Sequence, residues 1–275
     1  MRRGLIVLCL WLTCLHAGAE TLVLAYPERQ RLPFMAEAPS NEGIYRDVFS
    51  RAAALIGYEL TILRLPKKRI FQYMREGRVD LYPGSFSRDR VATMNWMEFG
   101  LMTKEVCITR DEVPPIDDLA KAPPLRLLHE IGDSRAGFNK LYPNLTPVEF
   151  GARIDLDLAV TLLKGRRGDL FIIEKQPLQH YLAIHKLASL NEIGLTYHEH
   201  CIGREQPVLL GFARASKYYA ERLNPEYERS RPLAPGNLPT VIDERSVAGQ
   251  LRQALKEMEA RGEIRRIIVA HTESP

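Results

Sequence analysis

Short apolar runs of strand character alternate along this chain with stretches of helical periodicity. Thr21 to Tyr26 is the first such run, and a helical stripe then begins near Ile44 and stops at Gly57, with Ser40 or Asn41 as possible caps. A strand must pair its backbone and an amphipathic helix must bury its apolar face. The alternation therefore predicts an α/β fold with a parallel or mixed sheet covered by helices on both faces.

The same order of elements recurs further along the chain. Tyr58 to Leu65 is a second strand, a helix behind Pro66 stops at Gly77, and Val79 to Tyr82 is a third strand. In the second half, Leu125 to Leu128 and a strand from Asp169 to Ile173 flank another helix. That helix carries the apolar stripe Ile154, Leu158 and Leu162 and stops at Gly165.

Each half contains a helix, a glycine, a short turn and a strand that begins with Asp-Leu, at Asp80 and at Asp169. The similarity is one of structural unit and is too short to establish a duplicated domain. A connector with four prolines, Pro114 to Pro124, separates the halves. An amphipathic helix ending at Gly262 and a final short helix close the chain, and we expect them to pack on the first lobe.

The first nineteen residues have the order of a secretory signal peptide. Arg2 and Arg3 precede an apolar run from Leu5 to Leu12, and small residues lead to Ala19. We therefore expect cleavage near Ala19, a mature chain that is exported to the periplasm, and no membrane-embedded segment. The predicted division is residues 1–19 as signal peptide, 20–105 as the first part of lobe 1, 106–207 as lobe 2, and 208–275 as the second part of lobe 1.

Charge and cysteine content narrow the possible partners. The chain has 38 Lys and Arg against 34 Asp and Glu, a net charge of +4, and loss of Arg2 and Arg3 leaves +2. This balance argues against a nucleic-acid partner. Cys107 and Cys201 remain after cleavage, either as one disulfide or as two separately buried small apolar residues.

The stretch from Pro66 to Arg90 resembles the first-lobe signature of bacterial extracellular solute-binding proteins of the polar amino-acid type. It contains a helix, a Gly77-x-x-Asp80 turn into a strand, and the turn Ser-Phe-Ser-Arg-Asp-Arg that ends at Arg90. Similar matches occur at Gly43 to Asp47, at Gly165 to Glu174 and in the closing helix, so the resemblance covers nearly the whole mature chain.

The resemblance implies a two-lobed periplasmic-binding-protein fold of type II. Each lobe is then a mixed sheet flanked by helices, and the chain crosses a hinge between them twice. It also implies a monomeric, non-enzymatic protein without cofactor or metal, which closes around a small amino-acid-like or carboxylate-bearing ligand. The implied partner is the permease of an ABC transporter or a membrane sensor.

In the first lobe, the turn after the third strand is the predicted carboxylate site. The resemblance and the two-pronged guanidinium assign Arg90 to a ligand carboxylate, with Ser85 and Ser87 as hydroxyl donors and Phe86 beside them. The alternative for Arg90 is a surface ion pair with Asp89 or Glu76.

In the second lobe, two places follow strand ends. Asp133, Ser134 and Arg135 lie in a turn that the family uses to contact the ligand, although Asp133 or Ser134 as a plain helix cap is equally consistent. Glu174 stands where amino-acid binders usually carry an aspartate for the ligand's ammonium group. The longer side chain makes an α-amino group in the ligand less certain than a cationic one.

Three further side chains are candidates around the cleft. Tyr26 and Phe34 flank the first loop and are aromatic contacts for the ligand or packed core residues. Arg69 starts a helix, where the dipole disfavours a cation, so it has a functional partner or is simply solvated.

Parts of the sequence are also consistent with functions other than ligand binding. His198, His200 and Cys201 suggest a metal, but alternate residues share one face of a strand and Cys201 would not join the histidines. Cyclohexadienyl-dehydratase-like enzymes on the same fold are an alternative in which Glu174 does acid–base work. A free-standing ligand sensor would share every site residue with a transport protein.

Overall fold

The computed structural model describes residues 20–28, 30–130, 137–151 and 154–272. Within this part of the chain, two five-stranded sheets and one two-stranded ribbon are formed. The predicted signal peptide, 1–19, and the turn at Asp133, Ser134 and Arg135 lie outside the described residues.

The first sheet is built from both ends of the chain, in the order β2-β1-β3-β10-β4. Its three leading strands are parallel and the last two pair antiparallel, as expected for a mixed sheet. The strands are β1 (Thr21–Pro27), β2 (Glu59–Leu65), β3 (Leu81–Gly84), β4 (Met94–Thr103) and β10 (Gln206–Ala213).

The second sheet has the corresponding order β7-β6-β8-β5-β9. Again three neighbouring strands, β7, β6 and β8, are parallel, and β5 pairs antiparallel with both β8 and β9. Its strands are β5 (Glu105–Arg110), β6 (Leu125–Glu130), β7 (Leu145–Phe150), β8 (Leu170–Glu174) and β9 (Leu195–His198). The ribbon pairs β11 (Glu221–Leu223) with β12 (Thr240–Ile242).

Helices cover both sheets. We define lobe 1 as the first sheet with four helices: α1 (Ile44–Leu55), α2 (Lys67–Arg75), α6 (Val247–Ala260) and α7 (Glu263–Thr272). Lobe 2 is the second sheet with α3 (Phe138–Leu141), α4 (Leu156–Lys164) and α5 (Lys175–Ile184). No helix in the described part of the chain is both long and apolar enough to cross a membrane.

The packing confirms the expected place of the C-terminal helices and corrects two details. Helices α6 and α7 pack on β4 and α1. Helix α1 begins after Gly43, not at a Ser40 or Asn41 cap, because Gly43 adopts φ +134° where the preceding loop turns onto the helix. Helix α4 starts two residues after Ile154, so its buried face is Leu156, Ala159 and Leu163 instead of the predicted stripe.

The repeated Asp-Leu unit has the same hydrogen bonds in both lobes. Asp80 forms two hydrogen bonds with Val23 on β1. The Asp80 N–H donates to the Val23 carbonyl at 2.9 Å, and the Val23 N–H donates to the Asp80 carboxylate at 2.8 Å. Asp169 forms the same pair of bonds with Arg126 on β6, at 2.9 and 3.0 Å. The two aspartates therefore join the central strand of each sheet, β3 or β8, to its parallel neighbour, β1 or β6.

The chain passes between the sheets twice, between Thr103 and Glu105 and again between His198 and Gln206. The precise lobe limits, at 105 and 207, stay predictions. Near the first passage, the hydroxyl of Thr103 donates to Gln176 Oε1 at 3.1 Å. On the same side of the molecule, α5 of lobe 2 packs against α7 of lobe 1.

The two remaining cysteines form a disulfide within lobe 2. Cys107 on β5 is bonded to Cys201, just after β9, and their Cα atoms are 6.1 Å apart. Both side chains are buried in the same apolar cluster. Of the two arrangements that the sequence allows, the structure contains the bonded one.

Candidate ligand-binding site

The site residues predicted from sequence follow the carboxyl ends of strands. In lobe 1, β1 and β3 are parallel neighbours, so the segments after them leave the sheet at the same edge. In lobe 2, β6 and β8 are parallel neighbours in the same way, and Glu174 is the last residue of β8. Each lobe therefore has one edge from which two neighbouring loops leave the sheet.

A guanidinium of lobe 1 meets the carboxylate of Glu174. Arg31, in the segment after β1, donates from Nη2 to Glu174 Oε1. The Arg31 side chain keeps 37% of its surface exposed and the Glu174 side chain keeps 20%. Burial is the largest single effect and opposes the charged guanidinium. The charge of Glu174, the hydroxyls of Tyr45 and Tyr82 and the hydrogen bond to Glu174 together outweigh it and raise the pKa of Arg31. The edges of the two lobes therefore face each other, and an ion pair joins them.

A compact loop holds Arg31 in place. Its backbone N–H donates to the Met35 carbonyl at 2.8 Å, and its guanidinium lies 4.9 Å from the centre of the Phe34 ring. The ring of Tyr45 on α1 stacks on the ring of Phe34, with the ring centres 5.2 Å apart. A Cβ at Gly43 would lie 2.6 Å from the Phe34 carbonyl oxygen, so only glycine allows the loop to approach the helix this closely.

Arg90 lies at the end of the turn after β3, as the last residue of a short 3-10 segment, Arg88–Arg90. Its guanidinium stacks on Phe71, 4.1 Å from the ring centre, and Phe71 meets the ring of Tyr82 edge-on at 5.1 Å. No carboxylate of the described residues forms an ion pair with Arg90. The surface ion pair with Asp89 or Glu76 is thus not formed in this structure.

The hydroxyl of Tyr82 senses the charges of both arginines. Burial raises the pKa of its hydroxyl, while the positive charges of Arg90 and Arg31 act in the opposite direction. Both guanidinium groups are therefore close enough to the Tyr82 hydroxyl to act on its ionisation. This places Arg90, Tyr82 and the Arg31–Glu174 pair in one electrostatic neighbourhood.

Two buried polar atoms near these residues have no hydrogen-bond partner within the described chain. They are the hydroxyl of Tyr45 and the indole nitrogen of Trp96. Burial raises the pKa of Tyr45, whose hydroxyl also senses the charges of Arg31 and Glu174, so it stays protonated and can donate. The Trp96 ring packs against Phe86 with the ring centres 6.1 Å apart.

The remaining predicted residues are placed as follows. Ser85 is exposed and Ser87 is half-buried, and the Ser87 carbonyl accepts from the Arg90 N–H at 3.1 Å. Arg69 is exposed in the first turn of α2. Tyr26 has no exposed surface and packs in the lobe 1 core, with the Arg64 guanidinium 4.9 Å from its ring centre.

Arg90 and Phe86 thus lie in the turn after β3 of lobe 1 and Glu174 of lobe 2 pairs with Arg31, whereas Tyr26 is buried in the core and Arg69 is exposed. Sequence reasoning missed several residues that line this region. The sequence contained a signal for Arg31, since the loop after the first strand is rich in arginine. The missed residues are Arg31, Tyr45, Phe71 and Tyr82.

The His-x-His-Cys segment has structural roles. Cys201 is in the disulfide, and both ring nitrogens of His198 are hydrogen-bonded, to the Ile116 N–H at 3.1 Å and to the Thr109 hydroxyl at 2.8 Å. Within the described ranges, no group of three or more His, Cys, Asp or Glu side chains is arranged to hold a metal ion.

Comparison with known proteins gives a match by structure but none by sequence. No family model matches the sequence, and no curated protein matches it. Solved structures do match. The substrate-binding protein of an amino-acid ABC transporter superposes with a TM-score of 0.61 over 92% of this chain and 100% of its own length, at 14% identity.

Two other structures agree with this match. The L-cystine solute receptor of Neisseria gonorrhoeae, in its unliganded open conformation, gives a TM-score of 0.61 at 14% identity and covers 94% of both chains. An ancestral arginine-binding protein with bound arginine gives 0.62 at 13% identity, over 91% of this chain and 97% of its own. The chain has the two-lobed periplasmic-binding-protein fold.

This result confirms the predicted fold class. The predicted resemblance is confirmed at the level of structure, because the matched structures are described as solute-binding proteins for amino acids. At 13 to 14% identity the likeness shows the fold alone. In a two-lobed periplasmic-binding-protein fold the cleft lies between the lobes, and the Arg31–Glu174 pair joins the two lobes of this chain.

Proposed function

We propose that this chain is an exported solute-binding protein that captures a small carboxylate-bearing ligand between its lobes by hinge closure. The observation that carries the proposal is Arg90: its guanidinium is presented on the face of Phe71 at the ligand edge of lobe 1, without a carboxylate partner among the described residues. A guanidinium in this setting binds a carboxylate with two parallel hydrogen bonds. Ser85 and Ser87 lie in the same turn, and the charge of Arg90 acts on the hydroxyl of Tyr82.

The partner we propose is the permease of an ABC transporter. The support is the likeness of the fold to the substrate-binding protein of such a transporter. Export to the periplasm rests on the signal-like first nineteen residues and is supported by the Cys107–Cys201 bond, since disulfides persist in oxidising compartments. The proposed mature chain starts near Glu20, and mass spectrometry of the secreted protein tests this start.

Binding is favoured over acid–base catalysis at Glu174. A general acid or base must be able to exchange a proton with the substrate, and the Glu174 carboxylate is already engaged by the guanidinium of Arg31. The matched structures are also described as binding proteins.

The test is ligand binding by the mature protein and two arginine variants. A thermal-shift screen against small carboxylates, aromatic acids, amino acids and polyamines first finds a ligand that raises the melting temperature. Calorimetry then compares Arg90→Ala with Arg88→Ala, whose arginine lies two residues away and is exposed. We expect Arg90→Ala to weaken carboxylate binding on the order of 2 to 5 kcal/mol and Arg88→Ala to bind like wild type. Equal affinity of wild type and Arg90→Ala would exclude the assignment.

A further inference from the structure

Glu174 already has a cationic partner from the opposite lobe. It ends β8 at the ligand edge of lobe 2, where a cationic group of a ligand was expected, and Arg31 of lobe 1 donates to it there. The two residues are 143 positions apart in the chain. The protein thus supplies, from its own loop, the positive charge that this carboxylate requires.

Arg31 is built into lobe 1 and does not swing freely. Its backbone is closed onto Met35, its guanidinium packs on the Phe34 ring, and Phe34 in turn stacks on Tyr45 of α1. The close approach at Gly43 fixes this loop to the helix. A preorganised guanidinium loses little conformational entropy when the lobes meet, which favours its pairing with Glu174 over capture of an external cation.

A ligand with its own ammonium group meets a specific obstacle. To reach Glu174 it must displace Arg31 and leave a partly buried guanidinium without its counter-charge, which is strongly unfavourable. A ligand without a cation near this position leaves the pair intact and uses Arg90 instead. Exclusion by an unpaired charge is a common device of specificity.

We propose that Arg31 is a specificity-determining residue that occupies Glu174, so that the ligand is an acid without an adjacent ammonium group. This inference rests on the proposed function, because it names the ligand class of the same site. It also explains why a glutamate, and not a shorter side chain, stands at the end of β8: the longer side chain can span the cleft to Arg31.

The test uses matched ligand pairs that differ only by an α-amino group. The probes are glutarate with glutamate, succinate with aspartate, and 3-phenylpropanoate with phenylalanine, each titrated into wild type, Arg31→Ala and Arg31→Lys. We expect wild type and Arg31→Lys to prefer the member without the amino group by about tenfold or more. In Arg31→Ala the guanidinium no longer competes for Glu174, an ammonium group can pair with this carboxylate, and the preference should reverse.

A second measurement does not depend on the ligand. Methylguanidinium in the millimolar range should raise the melting temperature of Arg31→Ala by restoring a cation to Glu174, but not that of the double variant Arg31→Ala/Glu174→Gln. Arg51→Ala is the control, since Arg51 pairs with Glu263 within lobe 1, away from the cleft. It should show neither a change in preference nor rescue.

The outcomes separate this inference from the proposed function. If wild type binds the amino acids as tightly as the simple acids while binding still requires Arg90, the role of Arg31 is refuted and the binding function stands. If no probe binds wild type, the proposed carboxylate ligand class fails. The pairing of Arg31 with Glu174 is then tested only by the effect of methylguanidinium on the melting temperature of Arg31→Ala. Absence of rescue in Arg31→Ala would then overturn it.

Discussion

At the scale of single residues, His198 shows how one buried imidazole is fixed in its neutral form. The backbone N–H of Ile116 can only donate, so Nδ1 of His198 accepts, and Nε2 must carry the proton that is donated to the Thr109 hydroxyl. The Thr109 hydroxyl in turn donates to the Arg110 carbonyl at 3.0 Å. Burial lowers the pKa of His198, and the nearby carboxylate of Asp117 acts in the opposite direction.

This arrangement predicts a loss of stability towards acidic pH. Because the folded pKa lies below the unfolded value of 6.5, the unfolded chain binds the proton first, so the contribution of His198 is complete above about pH 6.5 and falls as the pH drops below it. Denaturant unfolding at pH 7.5 and pH 5.5 should show a smaller pH effect in His198→Gln than in wild type. The carboxylates of Asp111, Asp117 and Glu199 line the cavity beside His198 and are unchanged in this comparison.

The control is His200→Gln, two residues further on and exposed. It should keep the pH profile of wild type. An identical profile for His198→Gln and wild type would show that the buried imidazole does not drive the acid sensitivity.

At the scale of elements, the two Asp-Leu units share their backbone bonds but differ in charge. Asp169 also binds two guanidiniums, from Arg126 at 2.8 Å and from Arg110 at 2.8 Å, which link β8 to β6 and β5. Arg126 foremost, with Arg110, holds the pKa of Asp169 well below its usual range against the effect of burial. Asp80 has a hydroxyl partner, Ser216, at 2.5 Å, and burial raises its pKa.

This difference in partners predicts that replacing each aspartate by asparagine lowers the free energy of unfolding by unequal amounts. Asp169→Asn removes the counter-charge of two guanidiniums and should lower the free energy of unfolding by about 2 to 4 kcal/mol at neutral pH. Asp80→Asn removes a charge that burial disfavours and keeps an acceptor for the Val23 N–H, so it should cost at most about 1 kcal/mol. Urea unfolding of both variants measures this difference, and equal losses would contradict it.

At the scale of the whole molecule, a small number of side-chain contacts join the two lobes. The Arg31–Glu174 pair spans the cleft, while Gln176 contacts Thr103 beside the first passage between the sheets. On the helical side, the ring of His180 on α5 is 3.1 Å from the His271 carbonyl on α7. Glu174 lies opposite Glu105 beside the first chain passage, and we expect its pair with Arg31 of lobe 1 to act as a latch between the lobes.

Weakening the latch should open the molecule without ligand. Glu174→Gln removes the charge at almost unchanged size, so it should raise the radius of gyration of the ligand-free protein in small-angle X-ray scattering. The matched control is Glu112→Gln, because Glu112 pairs with Arg110 and Arg166 inside lobe 2. The control should keep the wild-type radius, and the same radius in both variants would argue against a latch.

The sequence by itself determined the local elements of this protein and the places where they end. Helical periodicity, the glycine stops and the strand-like runs were sufficient for most helices and strands and for the α/β class, because they record which side of each element is buried. The equivalence of Asp80 and Asp169 was also visible as a short repeated unit. The position of Glu174 at a strand end followed from the same patterns.

The tertiary structure alone decided which distant residues meet. Cys107 and Cys201, 94 positions apart, share one bond, and Arg31 crosses the cleft to a carboxylate 143 positions away. It also decided that Tyr26 faces the core and not the cleft. Periodicity tells that a side chain is buried but not what it is buried against. That depends on the path of the chain between two sheets, which no local pattern records.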